Sequence, residues 1–507
     1  MQDKEARLVL NSVFGLLSWL TPFGLGLLFT PLILATLGAE SFGVYLVILG
    51  FISYSFPFNI GRTVTKYVAE FHAIDDLSKV KDAISSGFWL SIGVGLLGAV
   101  VIALIAPWLV ADVLRVSPMF RQAAESALVL GGFSIPVLLA GQVFQNVLQG
   151  IHRFGRVSLL TTLNSLLLYA GNVALVVSGF GVVALFGWNL ANAFLILLFS
   201  FIFARSLDAA YAPGLKVTRA MFAAVASYGF GVFSYQIFGL ILMTFERGWL
   251  LREFGAAESA YYLLPMSLGI YIHGFVGSLM LAAFPAVNQL LGDRERLIIL
   301  YQKATKVLLT VTALAVATAI CSGKVFLIVW VGRDFAANAY SNLVIHSLTF
   351  GLIALMIVIW QINEGNRATR INALQVFIWG AVAIPLMYVT SSIWSAEGVA
   401  ASRLFGVVVT IPMLFYSERR FLGTVFVKFW TGIIAKVGLS AAILAAVEIS
   451  ILKLLEPSWT SLAIAAATGT AAFAATALLT GLVTSEERHL LMRVIRRGSD
   501  GINNGRD

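Results

Sequence analysis

One cysteine, Cys321, in 507 residues excludes a disulfide framework and leaves burial to hold the chain together. Charge is scarce as well: 12% of the residues are Asp, Glu, Lys or Arg, about half the share of a soluble domain. No GxxxxGK[ST], HExxH or CxxC pattern occurs, so ATP hydrolysis and the commonest zinc sites have no sequence basis, and no cofactor is expected. The run Gly93-Val94-Gly95-Leu96-Leu97-Gly98 fits GxGxxG but lies inside an apolar stretch with no preceding strand. It reads as helix-packing glycine rather than a phosphate cradle. Polar connections are short throughout, which leaves no room for an inserted catalytic domain, and an enzyme is not expected.

What is present is hydrocarbon: 59% hydrophobic residues and a mean hydropathy of +0.91. A membrane span needs about 20 apolar residues and must be helical, because lipid satisfies no backbone polar group. By that measure about fourteen stretches qualify. They centre near Phe23, Phe51, Gly98, Pro136, Tyr169, Leu195, Gly231, Tyr271, Ala315, Leu355, Ala381, Val408, Ile443 and Phe473. The fold class is therefore an all-α polytopic membrane protein. The first apolar run, Leu10 to Leu37, is too long for a signal-peptide core and is expected to remain as a span. Most of the 34 Lys and Arg fall in loops on the side of the N-terminus, so both termini are expected in the cytoplasm. The net charge of +9 then reflects topology and contact with anionic lipid, not nucleic-acid binding.

The chain repeats itself. Gly38-Ala39-Glu40-Ser41-Phe42-Gly43-Val44-Tyr45 returns about 217 residues later as Gly255-Ala256-Ala257-Glu258-Ser259-Ala260-Tyr261-Tyr262, and Gly150, Arg153 and Arg156 return as Gly365, Arg367 and Arg370. Six spans in each copy imply parallel repeats, expected as a six-helix lobe over 1–217 and another over 218–428. Two further spans, 429–484, and a basic cytoplasmic tail, 485–507, follow. Prolines interrupt several spans, Pro22, Pro31, Pro57, Pro136, Pro265 and Pro285 among them, either as ordinary membrane composition or as points of bending.

The informative polar pattern lies in the fourth span, where Gln142, Gln145, Asn146 and Gln149 share one helical face. Thr161, Asn164, Ser165 and Asn172 in the fifth span and Asn189 and Asn192 in the sixth have compatible spacing. Such faces avoid lipid. They either tie helices together or line a wet cavity whose amides offer both donors and acceptors, as an array of sugar hydroxyls requires. In the second span Asn59, Arg62 and Lys66 fall on one face, with Arg62 either snorkelling to the interface or binding an anion. Glu246, Arg247, Arg403 and His273 are ionisable groups within spans, and Glu364 lies in the loop that the repeat matches to Gln149. Glu246, His273 and Glu364 are the candidates for ion coupling.

Thr30-Pro31-Leu32, the Leu37-to-Tyr45 segment, Gly61-Arg62 through Lys66-Tyr67-Val68-Ala69-Glu70, and Glu246-Arg247 with Gly255 together resemble the polysaccharide-exporter family. These are the Wzx-like flippases for lipid-linked oligosaccharides, in the superfamily that also holds multidrug exporters and lipid II flippases. The resemblance implies an inner-membrane transporter of undecaprenyl-pyrophosphate-linked glycan, working by alternating access between two lobes. It implies cationic cavity residues for the pyrophosphate, which Arg62 and Arg247 would supply; with Lys66 and Arg403 these are the expected pyrophosphate or acidic-sugar site, and the polar faces make Asn59, Gln142, Gln145, Asn146, Gln149, Asn164 and Asn189 the expected glycan cavity. Membrane lipids, and polysaccharide polymerase or chain-length proteins, are the expected partners of a monomer. Lipid II flippases carry an Arg-Asp pair in the first span and many cation antiporters an acid there, whereas Leu10 to Leu37 has no charge. The oligosaccharide branch is favoured over a drug/cation antiporter, and over a membrane-embedded ligase, which would need a large outer loop.

Overall fold

In the computed structural model the described backbone covers residues 2–55, 60–280 and 292–484 with Val287 and Leu290, and the side chains of 2–19, 54, 55, 60, 62 and 228–236 are excluded. Asn59, Pro57, Pro285 and the tail 485–507 therefore lie outside the described residues, as does the side chain of Arg62. Everything described is helix and short connection. The helices are α1 (Gln2–Ser55), α2 (Ile60–His72), α3 (Leu77–Trp108), α4 (Pro118–Gly150), α5 (Phe154–Val177), α6 (Val182–Arg205), α7 (Arg219–Leu279), α8 (Arg294–Cys321), α9 (Gly323–Val331), α10 (Arg333–Leu355), α11 (Ile357–Gly365), α12 (Thr369–Val409), α13 (Ile411–Ser417), α14 (Val427–Leu454) and α15 (Trp459–Leu479).

Among the described residues, 11 helical stretches are long and apolar enough to cross a membrane. The sequence suggests about fourteen crossings. Three stretches account for the difference, because each runs through a sharp backbone break: α1 at Gly38 (φ 76°), α7 at Gly255 (φ 83°) and α12 at Ser395 (φ 49°). Each is thus two spans joined without a loop. Glycine tolerates the left-handed region at Gly38 and Gly255, where any Cβ would crowd the following carbonyl.

These breaks repeat along the chain as the sequence does. Left-handed residues recur in pairs about 215 to 217 positions apart: Gly38 with Gly255, Arg115 with Gly332, His152 with Arg367, and Gly179 with Ser395. The caps recur too. Asp76 accepts the Lys79 amide at 3.0 Å, and Asp293 accepts that of Arg296 at 3.1 Å. The apolar 18-residue portions of Pro118–Gly150 and Arg333–Gly365 are 72% and 61% buried, the highest shares among the stretches, and the two stretches begin 215 residues apart.

The Asp76 cap responds to pH. The amide of Lys79 and then its ammonium, 3.0 Å away, hold the Asp76 carboxyl below the usual carboxylate range. A carboxyl depressed on folding stabilises the start of α3 above its unfolded pKa, and that contribution is lost as pH falls through the lower, folded value. Hydrogen-exchange protection of the first-turn amides of α3 is expected to fall below about pH 4, and Asp76→Ala is expected to abolish that dependence.

By compactness the described residues form two units. One runs up to Ser267 and includes Ala368–Thr410; the other comprises Leu268–Arg367 and the residues from Ile411 onward. In the first, α4 packs against α2, α3 and α6, and α1 against α5. A cluster of Val64, Val68, Val80, Ile84, Val143 and Phe144 closes the end where α2, α3 and α4 meet. In the second, α14 and α15 form a hairpin that packs on α8.

Candidate functional site

The first unit contains a cavity of about 310 Å³ between α1, α4, α5 and α6, at the lower end of the ligand-pocket range of roughly 300–1,000 Å³. Its polar lining is Gln142 from α4, Asn164 from α5, Asn189 and Asn192 from α6, and Ser53 and Ser134; Leu49, Ile52 and Phe186 supply apolar walls. Three of the amides that the sequence singles out as candidate site residues thus come together, because α4, α5 and α6 turn their polar faces to one space. Asn192 donates to Asn164 at 2.8 Å. The side-chain oxygens of Asn189 and Asn192 are buried without a protein donor. Acceptors left open in a walled space favour a ligand rich in hydroxyl donors.

The remaining residues of the amide face on α4 are used otherwise. Asn146 donates to the Gln142 carbonyl at 2.7 Å and accepts from Thr65 of α2 at 3.0 Å, and it fills the space over Gly61. It joins α2 to α4. Gln145 and Gln149 are half-buried and do not line the cavity.

Of the expected cations, Arg247 lies against α1. Its guanidinium donates to the Met243 carbonyl at 3.0 Å and lies against Gly50, where a Cβ would overlap it. Gly50 and Ser53, at i and i+3 on α1, share a face, and Ser53 lines the cavity. Lys66 is exposed on α2, its ammonium 4.8 Å from the ring of Tyr67.

Arg403 lies beside Arg247, the two guanidiniums reaching the sulfur of Met243 at 3.0 and 3.7 Å, and it is paired with a carboxylate. Its guanidinium is wholly buried and grips Glu246 through Nε, 2.9 Å from each carboxylate oxygen, and through Nη2. Tyr262 donates a further hydrogen bond to the same carboxylate. Trp379 donates to the Arg403 carbonyl at 3.1 Å, and the guanidinium lies 5.4 Å from its ring. α7 and α12 are thereby locked through one neutralised charge pair. The other two ion-coupling candidates, His273 and Glu364, belong to the second unit. His273 is half-buried and its Nδ1 has no protein partner among the described residues, while Glu364 is exposed in the last turn of α11.

Sequence reasoning missed Tyr262 as the partner of Glu246 and Tyr45 as a neighbour of Asn172 and Asn189. The signal was available, since the two tyrosines close the two copies of the repeated segment. Among the described residues no group of three or more His, Cys, Asp or Glu could hold a metal ion.

A family model described as polysaccharide biosynthesis protein matches residues 8–291. A putative O-antigen transporter of Shigella flexneri is 21% identical over 375 residues, covering 72% of this chain and 87% of the relative. Among solved structures, the lipid II flippase MurJ in an inward closed conformation superposes with a TM-score of 0.70 at 15% identity, covering 93% of this chain and 99% of MurJ. An inward-facing multidrug resistance transporter of the MATE family, in the MOP superfamily, gives 0.67 at 15% identity, covering 81% and 98%. The likeness to these structures is one of fold, and the relatives are transporters or flippases rather than enzymes.

Proposed function

The chain belongs to the family of polysaccharide biosynthesis proteins, and on that premise we propose that it flips an undecaprenyl-pyrophosphate-linked oligosaccharide, an O-antigen or exopolysaccharide repeat unit, across the inner membrane by alternating access. The N- and C-termini lie in the cytoplasm in this reading, and the two repeats form the lobes that rock. The observation that carries it is the amide-lined cavity with open acceptor oxygens on Asn189 and Asn192. Hydroxyls of the glycan meet the amides, Arg247 and the α2 cations Arg62 and Lys66 meet the pyrophosphate, and the prenyl chain stays in lipid. The small volume suits part of a repeat unit, which is what a carrier that must release its cargo needs. A cation antiporter would require Glu246 to exchange an ion, and the grip of Arg403 and Tyr262 on that carboxylate favours the oligosaccharide reading.

The test is leaflet-resolved transfer by the purified protein in vesicles. Asn164→Leu with Asn192→Leu removes two amides worth about 1 kcal/mol each. Apparent affinity for the glycan carrier is expected to fall roughly 30-fold, with little change for the same prenyl pyrophosphate bearing no sugar. An equal loss for both carriers would remove the glycan from this cavity. Absence of any transfer by the unaltered protein would overturn the function itself.

A further inference from the structure

Three glutamates are wholly buried among the described residues: Glu246, Glu418 and Glu448. Their partners differ in kind, and partner chemistry decides which of them can hold a proton. Glu246 faces a guanidinium, whose N–H groups can only donate. Glu418 accepts from the hydroxyl of Tyr301 at 2.6 Å, the indole N–H of Trp430 at 2.7 Å and the amide of Phe426 at 3.2 Å. An indole N–H and an amide can only donate, so they select an accepting carboxylate.

Glu448 is built otherwise. It lies on α14, six residues before Leu454, roughly 9 Å inside that end of the helix. Its Oε2 is 2.6 Å from the hydroxyl of Ser322, and its Oε1 is 3.1 Å from that of Thr318 on α8. Both partners are hydroxyls, which donate and accept alike. Gly469 of α15 leaves the space, since a Cβ there would stand 2.6 Å from Glu448 Cγ and 2.9 Å from Oε1.

The charges around it are few. α15 has no titratable side chain over Trp459–Leu479. From α8 the thiol of Cys321 lies within electrostatic reach of Glu448. Neither Lys324 at the start of α9 nor Lys453 on α14 forms an ion pair with it among the described residues. A bare carboxylate at this depth would have two hydroxyl donors and no cation, an expensive arrangement inside a membrane. A protonated carboxyl is satisfied completely, giving its O–H to one hydroxyl and accepting from the other.

We propose that Glu448 is a proton-binding site of the C-terminal helix pair, holding its proton at neutral pH between Ser322 and Thr318. Loss of the proton leaves an uncompensated charge against α15, so ionisation loosens the hairpin. A group that keeps its proton when folded and releases it when unfolded makes stability fall as pH rises.

Infrared spectra of the full-length protein in detergent at pH 7 test this directly. The difference between the unaltered protein and Glu448→Gln is expected to contain the carbonyl stretch of a protonated carboxyl. Loss of a carboxylate band instead would overturn the proposal. Should Glu448→Gln fold poorly, Ser322→Ala serves in its place: it removes a hydrogen bond and moves the same protonated-carboxyl band to higher frequency. No movement in that region would count against the site. In thermal melts, the alkaline loss of stability is expected to be shallower in Glu448→Gln than in the unaltered protein, and identical slopes would contradict the linkage.

Discussion

Leucine in place of Arg403, with Glu246 unchanged, is expected to destabilise the folded protein by about 3–5 kcal/mol, the largest single-residue loss we anticipate. The cost is not the value of the ion pair. It is the price of a carboxylate left in the interior without its cation, with the Tyr262 hydroxyl as its remaining donor. Converting Glu246 to Gln in the same background removes the charge and keeps an acceptor for Tyr262, so the double variant is expected to recover most of the loss. Unfolding of the detergent-purified variants checks both steps. A single-variant cost below about 1 kcal/mol, or a double variant no better than the single, would sink the assignment of the pair as a lock between α7 and α12. The double variant also separates two roles. If the pair only holds helices, transport survives in it; if Glu246 exchanges an ion during transport, the protein is stable and inert.

How much of this was legible beforehand depended on distance along the chain. The helical membrane class followed from hydropathy, and the repeated Gly38 and Gly255 segments marked two breaks, because a left-handed backbone position favours glycine and glycine is visible in sequence. The break at Ser395 carries no such mark, so α12 reads as two spans by length alone. The amides of α4, α5 and α6 were legible as faces, since helical periodicity fixes which residues share a side. Periodicity does not say which part of a face meets space and which meets another helix. Gln142 lines the cavity, whereas Asn146, one turn on, is bonded to Thr65. Arg403 and Glu246 stand 157 residues apart. Nothing local announces their pairing, and so Arg403 looked as available to a phosphate as Arg247. Glu448 escaped notice for a related reason: an acid in an apolar run shows its cost, but only the three-dimensional neighbours show how that cost is met.

Gly43→Val is expected to part α1 from α7 where the two copies of the repeated segment meet. Gly43 lies in the first copy and packs on the backbone of Ala256 in the second, so closely that a Cβ would overlap the Ala256 carbonyl oxygen. Flexible side chains can turn away from an added methyl group, but a carbonyl held in a helix cannot without moving the helix. Phe42 and Val44, on either side, are buried at 3% and 1% exposure, so the segment has no free direction in which to yield. Overpacking of this kind costs about 1–3 kcal/mol even where side chains absorb it, and a backbone contact puts Gly43→Val at the upper end or beyond. The structural consequence is separable from the energetic one. With Cys321→Ser as background, a cysteine placed at Ala256 is expected to react slowly with a membrane-impermeant thiol reagent beside Gly43 and faster beside Val. Equal rates in the two backgrounds, with melting temperatures unchanged, would mean that the repeated segments do not hold this end of the unit shut. If they do, glycine at position 43 is there for the approach it permits, while glycine at 38 and 255 is there for the turn it permits, and one short repeated sequence serves both purposes.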